Sequence, residues 1–149
     1  MPRRRGRKRA VRALEQESGF SLVELLVVLI IIGILAAVSI AAFTRQQNKA
    51  HDADAKTAAR SAQTAMETYF VDHRSYAGAD KAELEQLQPS LRDAPGLAVK
   101  SATSNEYELE TTSTSTQAIV FNVRRLATGT VSRTCSPANS GGCGSGSTW

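Results

Sequence analysis

Gly19-Phe20-Ser21-Leu22-Val23-Glu24-Leu25-Leu26-Val27-Val28-Leu29-Ile30-Ile31-Ile32-Gly33-Ile34-Leu35-Ala36-Ala37-Val38-Ser39-Ile40-Ala41-Ala42-Phe43 is the stretch on which the reading of this chain turns. From Phe20 to Phe43 it holds 24 residues and a single charge. At roughly 1.5 Å per residue a helix of that length extends ~36 Å, enough to cross a ~30 Å hydrocarbon core with tilt. The one carboxylate, Glu24, costs at least ~2.5 kcal/mol in such a setting, so it requires a partner or a purpose.

The flanks set an orientation. Upstream of Gly19 stand seven basic residues, Arg3, Arg4, Arg5, Arg7, Lys8, Arg9 and Arg12, against Glu15 and Glu17. A Lys/Arg excess marks the cytoplasmic side, so the amino terminus is expected inside. Residues 20–149 hold 11 basic and 12 acidic residues, so the formal charge of +4 and the pI of 9.4 belong to the leader. A high pI often points to nucleic acid. Here the charge is confined to a segment that directs topology, and nucleic acid is not an expected partner.

The run from Gly19 to Val38 resembles the processing signal and amino-terminal helix of type IV pilins and of type II secretion pseudopilins, with the type IV pilin the closer fit. The resemblance implies a 1–19 leader removed by a prepilin peptidase between Gly19 and Phe20, and N-methylation of Phe20. It also implies a subunit that waits in the cytoplasmic membrane as a single-pass protein, then enters an extracellular pilus. The implied partners are copies of the chain itself in a helical homopolymer, the peptidase, the membrane before assembly, and an assembly platform with its ATPase machinery. Glu24 would be the family's assembly glutamate. Physics gives it a role independently: the ammonium of Phe20 on a neighbouring copy can neutralise it in low dielectric, where a lone charge is costly.

The chain departs from the family pattern at Ala41, where proline is frequent in pilins. Without proline the helix keeps its backbone hydrogen bonds, which implies a straighter course, and Gly33 is left as the one weak point. Ser39-Ile40-Ala41 also matches an ordinary signal-peptidase site, which would release a secreted protein. Against that, the apolar run exceeds a usual 7–15-residue signal core, and the Gly-Phe junction and Glu24 have no role in one. A plain single-pass anchor leaves Glu24 unexplained.

Beyond Phe43 the helical period persists. Ala50, Ala55, Ala58, Ala62, Ala65, Met66, Tyr69 and Phe70 recur at three- and four-residue steps, with Asp52, Asp54, Lys56, Arg60, Gln63, Glu67 and Asp72 between them. No Gly or Pro interrupts residues 44–75, so one helix of about 55 residues is expected from Phe20 onward. Residues 76–97 read as a connecting loop with one short helix, capped by Asp80 with Glu83 three later and edged by Leu84, Leu87 and Leu91. His51 and His73 read as solvated or capping histidines.

From residue 98 the period becomes two. Glu106–Thr111, Ile119–Arg124 and Thr130–Thr134 read as strands, Ala98–Ser101 is a candidate fourth, and their hairpin-length joins favour an antiparallel meander. Tyr107, Leu109, Ile119, Phe121, Val123 and Val131 are expected to face the alanine-rich helix. The fold class is therefore α+β: a long amino-terminal helix, half apolar and half amphipathic, on a small antiparallel sheet of 3–4 strands at 98–134. The globular domain spans 44–149.

Thr111–Thr116 reads as a polar loop or an O-glycan acceptor, and Arg124, Arg125 and Arg133 as a solvated edge. Cys135 and Cys143 flank a turn-rich stretch and, in an exported domain, read as a disulfide. Two thiolates alone do not complete a zinc site, and no metal or other cofactor is expected. A disulfide loop after the last strand again resembles type IV pilins more than secretion pseudopilins. No nucleophile–base pair, phosphate-cradling loop or metal motif appears, so an assembling structural protein is expected rather than an enzyme.

Overall fold

A computed structural model describes residues 19–149; the leader expected over 1–19 falls, apart from Gly19, outside them. The chain divides after Val38 into two compact units. The described part of the first is the apolar start of helix α1, and the second, Ser39–Trp149, carries everything else. α1 covers Leu22–His73, 52 residues, and is helical through Gly33 and Ala41. It ends where Arg74 takes a left-handed φ of 57° and donates to Phe70 O at 2.7 Å. His73 stacks on Tyr69 with ring centroids 4.0 Å apart and sets Nδ1 3.0 Å from Tyr69 O, closing the last turn.

The connecting segment folds as its caps dictate. Asp80 accepts from Glu83 N at 2.9 Å and starts α2, Lys81–Leu87. Pro89, at the first position of a short 3-10 turn, Pro89–Leu91, continues the chain. That turn is not legible in the helical pattern. Leu84 and Leu91 are buried, whereas Leu87 is exposed. Gly96 then bends the backbone at φ 57°, and a Cβ there would come within 2.6 Å of Thr112 Cβ, so no larger residue fits.

Four strands follow: β1 Ala98–Ala102, β2 Tyr107–Thr112, β3 Val120–Arg125 and β4 Val131–Ser136. They pair antiparallel in the order β1-β2-β3-β4, so the candidate fourth strand is present and the sheet is a meander. Leu109 opposes Val123, and Thr111 opposes Phe121. Alternation turns Tyr107, Leu109, Phe121 and Val123 to the helix, where all are buried; Ile119, just before β3, is buried as well, and Val131 is half-buried. Tyr107, Leu109 and Val123 meet Ala59, Ala62, Ala65 and Met66 of α1, together with Tyr76, Leu84, Leu91 and Leu97 from the connection, whereas Ile119 and Phe121 cluster with Ala55, Cys135 and Cys143. Alanines at the contact let the helix backbone approach the sheet closely.

The inner face also carries two residues expected at a solvated edge. Arg125 shares the face of Val123, and Arg133 opposes Val123 across the ladder. Arg133 Nη2 donates to Gln63 Oε1 at 2.8 Å, and Arg125 reaches Glu67 Oε1 at 3.8 Å. Only Arg124, on the opposite face, is fully exposed, so the three do not form a basic patch.

Glu67 holds the helix to the sheet. Its Oε2 accepts from Tyr76 Oη at 2.7 Å and its Oε1 from Tyr107 Oη at 3.0 Å. Burial first, and then the bond to Glu67, push the Tyr76 phenol up to about 12. Burial and the Glu67 charge push Tyr107 up as well. The folded state therefore holds protons that the unfolded chain releases above its ordinary phenol value of 10.0. The detergent-solubilised chain should keep constant denaturant stability from neutral pH to about 10 and lose it as pH rises toward about 12. Glu67→Gln should shrink that alkaline loss without abolishing it, since burial is the larger cause; midpoints of urea unfolding at stepped pH are the measurement.

Candidate functional site

The first unit offers a surface rather than a pocket. Its apolar side chains are exposed all round the helix: Phe20 is 76 % exposed, Leu22 79 %, Ile34 63 % and Val38 70 %. A helix apolar on every face is stable only where something other than water surrounds it. Among the described residues, α1 is the one helix long and apolar enough to cross a membrane.

Gly19 and Phe20 precede the helix, and Leu25 N donates to Ser21 O at 3.1 Å as the helix opens. Glu24 lies in the first turn, where a carboxylate complements the positive end of the helix dipole. Its side chain has no hydrogen bond or ion pair among the described residues. A Cβ at Gly19 would meet nothing within 4 Å, so no packing within the chain demands a glycine there. The structure thus brings Gly19, Phe20 and Glu24 together at one exposed end of α1.

A model of the prokaryotic N-terminal methylation motif matches residues 16–40, the segment that holds all three. The chain is also 40 % identical over 58 residues to the type IV major pilin protein PilA of Myxococcus xanthus (strain DK1622). The amino-terminal segment of the chain is thus similar to that of type IV pilins. The PilA match covers 39 % of this chain and 26 % of that protein, so it spans about a quarter of the relative's length. No solved structure matches the chain. The α+β arrangement of the chain, an alanine-faced helix on a four-stranded antiparallel sheet, is consistent with the pilin fold.

In the second unit the chain closes its carboxy-terminal loop with a Cys135–Cys143 disulfide, Cα atoms 5.7 Å apart. The loop is fastened to α1 by Asp52, 2 % exposed, whose Oδ2 accepts from Gly142 N at 2.8 Å and Oδ1 from Ser113 Oγ at 2.6 Å. Lys56 Nζ donates to Gly142 O at 2.6 Å. The Ser/Thr tract is therefore only half a surface loop. Thr111, Ser113 and Ser115 turn inward, with Thr111 Oγ1 donating to Ala55 O at 3.0 Å, while Thr114 and Thr116 stay exposed.

Asp52 reads in sequence as one more charge between apolar positions. The signal for its burial is the spacing 52, 55, 59, 62, 66, which keeps it on the face of the buried alanines. The tail was equally hard to read. Trp149 sends Nε1 to Thr134 O at 2.9 Å and sets its ring edge-on to Phe121 with centroids 5.6 Å apart. The Arg60 guanidinium lies 5.5 Å from the same ring. One indole orders a stretch that has no periodicity.

Among the described residues, no group of three His, Cys, Asp or Glu side chains is placed to hold a metal ion. Replacing both cysteines by serine should lower unfolding free energy by about 2–3 kcal/mol, the loop-closure value for a ring this short. Asp52→Ala, which strands a buried N–H and a hydroxyl, should cost about 2–3 kcal/mol, against within about 0.5 for exposed Asp54→Ala. Chemical denaturation in detergent reads both comparisons.

Proposed function

We propose that this chain is a structural subunit of a type IV pilus, cleaved between Gly19 and Phe20 by a prepilin peptidase, methylated on Phe20 and polymerised through α1. The observation that carries this reading is the apolar helix surface from Phe20 to Phe43, exposed on every side within the described chain and directly following the methylation motif. Such a surface suits two surroundings in turn, lipid and then like helices. Before assembly the subunit sits in the cytoplasmic membrane with its amino terminus inside, held there by the apolar helix and oriented by the basic leader. Afterwards the same helix is buried among copies of itself, driven by the assembly platform and its ATPase.

In that packing Glu24 meets the Phe20 ammonium of the next copy. Truncating one partner of such a desolvated pair leaves the other charge buried and alone, which costs 3–5 kcal/mol by general measure, so Glu24 and Phe20 act as one device. The match to a protein named as a major pilin and the carboxy-terminal disulfide loop favour a pilus over a secretion pseudopilin. No group of the described residues suggests catalysis, and the role is structural.

Intact mass and amino-terminal sequence of material sheared from cells test the reading. The expected chain starts at Phe20, carries one added methyl group and lacks two hydrogens for the disulfide. A chain starting at Ala42 would show an ordinary secreted protein instead. Glu24→Ala should leave the subunit in the membrane fraction while lowering sheared filament by at least about tenfold, the consequence of an unpaired buried ammonium.

A further inference from the structure

The globular half of α1 carries opposite charge on its two flanks. At 100° per residue, Arg45 and Asp54 lie about 180° apart around the helix, and Lys49 about 140° from Asp54. Both flanks open into clefts of similar size. One, of about 210 Å³, is lined by Arg45, Lys49, Asp52 and Gly141 among others; its only acid, Asp52, is buried and already saturated by Ser113 and Gly142. The other, of about 200 Å³, is lined by Asp54, Ser61 and Asp93 and contains no cation.

Arg45, Lys49, Asp54 and Asp93 are all exposed. The ion pairs of the described residues are Lys81–Glu85, Lys100–Glu110 and Arg125–Glu67, and none uses these four. A surface whose positive flank and negative flank face opposite ways cannot satisfy itself within one chain. It is satisfied when a second copy lies alongside in the same direction.

We infer that the basic cleft at Arg45 and Lys49 of one copy docks against the acidic cleft at Asp54 and Asp93 of a second copy, forming a head-to-tail lateral contact between globular domains. The inference rests on the polymer reading above and adds the outer contact to the helical one. The two patches differ, so the contact is heterologous and repeats without closing on a dimer, as a filament requires. It also sets a stagger. Asp54 stands five residues beyond Lys49 and nine beyond Arg45, so parallel neighbours are offset axially by roughly 7 to 14 Å. Charge complementarity of this kind fixes register and suppresses wrong neighbours more than it adds raw affinity.

The test uses the full chain expressed in filament-forming cells. Lys49→Glu should reduce sheared filament about tenfold by placing like charges together, and adding Asp54→Lys in the same chain should restore yield to within about threefold. In a second arm, Lys49→Cys with Asp54→Cys in one chain should give a covalent ladder of multimers on oxidation of filaments, whereas either single variant should stay monomeric. Failure of the swap to restore yield, absence of the ladder from intact filaments, or dimers from a single variant would each overturn this contact while leaving the polymer reading standing. Wild-type cells without filaments would overturn both.

Discussion

Apolar side chains spread over every face of one helix, with nothing in the described chain to cover them, impose the constraint from which the other features follow. A helix of this kind is at home in lipid or among its own kind, and the proposed role requires both. At about 25 cal/mol per Å² of apolar area removed from water, either environment supplies far more free energy than any polar contact in the molecule. What the polar groups decide is therefore position. Glu24 alone can tell one height along the helix from another, because elsewhere between Phe20 and Phe43 the surface is nearly uniform hydrocarbon.

The soluble half is built on the opposite principle. An alanine face gives little area per residue, and much of the fastening falls to two acids, Asp52 buried and Glu67 half-exposed. Asp52 ties α1 to the disulfide loop and the β2–β3 connection, and Glu67 ties it to Tyr76, Tyr107 and Arg125. The two are 15 positions apart, close to four helical turns, so both project toward the sheet side. Each accepts from more than one donor, which for buried Asp52 is the condition under which a carboxylate is tolerable there. Among the described residues, Glu24 stands exposed and without an intrachain side-chain partner, whereas Asp52 and Glu67 of the second unit are satisfied within it.

The division between what sequence reading reached and what it missed follows from range. Periodicity placed α1 to within two residues at each end, because a 52-residue helix repeats its signal many times. The strands emerged from two-residue alternation, and the Asp80 cap from spacing local to the segment. The Gly19-Phe20-Glu24 constellation stands out because such residue types are unusual beside an apolar span, and it lies within the matched methylation motif. Asp52, Arg125 and Arg133 were misjudged for one shared reason: each is polar by composition and inward by register, and their partners lie 61 to 90 residues from Asp52, 58 from Arg125 and 70 from Arg133. No local window holds both halves of such a pair. The docked Trp149 was missed for the same reason.

The tail has an effect on how such a chain can be stored. A four-stranded sheet has two edges, and copies brought side by side would present those edges to one another. Here Ser147 O accepts from Cys135 N at 2.8 Å, and Thr148 forms a bridge with Thr134, so part of the β4 edge is already occupied. The β1 edge is short, carries Lys100, and loses register between Val99 and Ser101. Strand-by-strand growth needs a flat open edge on both sides of every copy. With one edge partly covered and the other irregular, edge-to-edge growth of the sheets is disfavoured, which favours association through the helices.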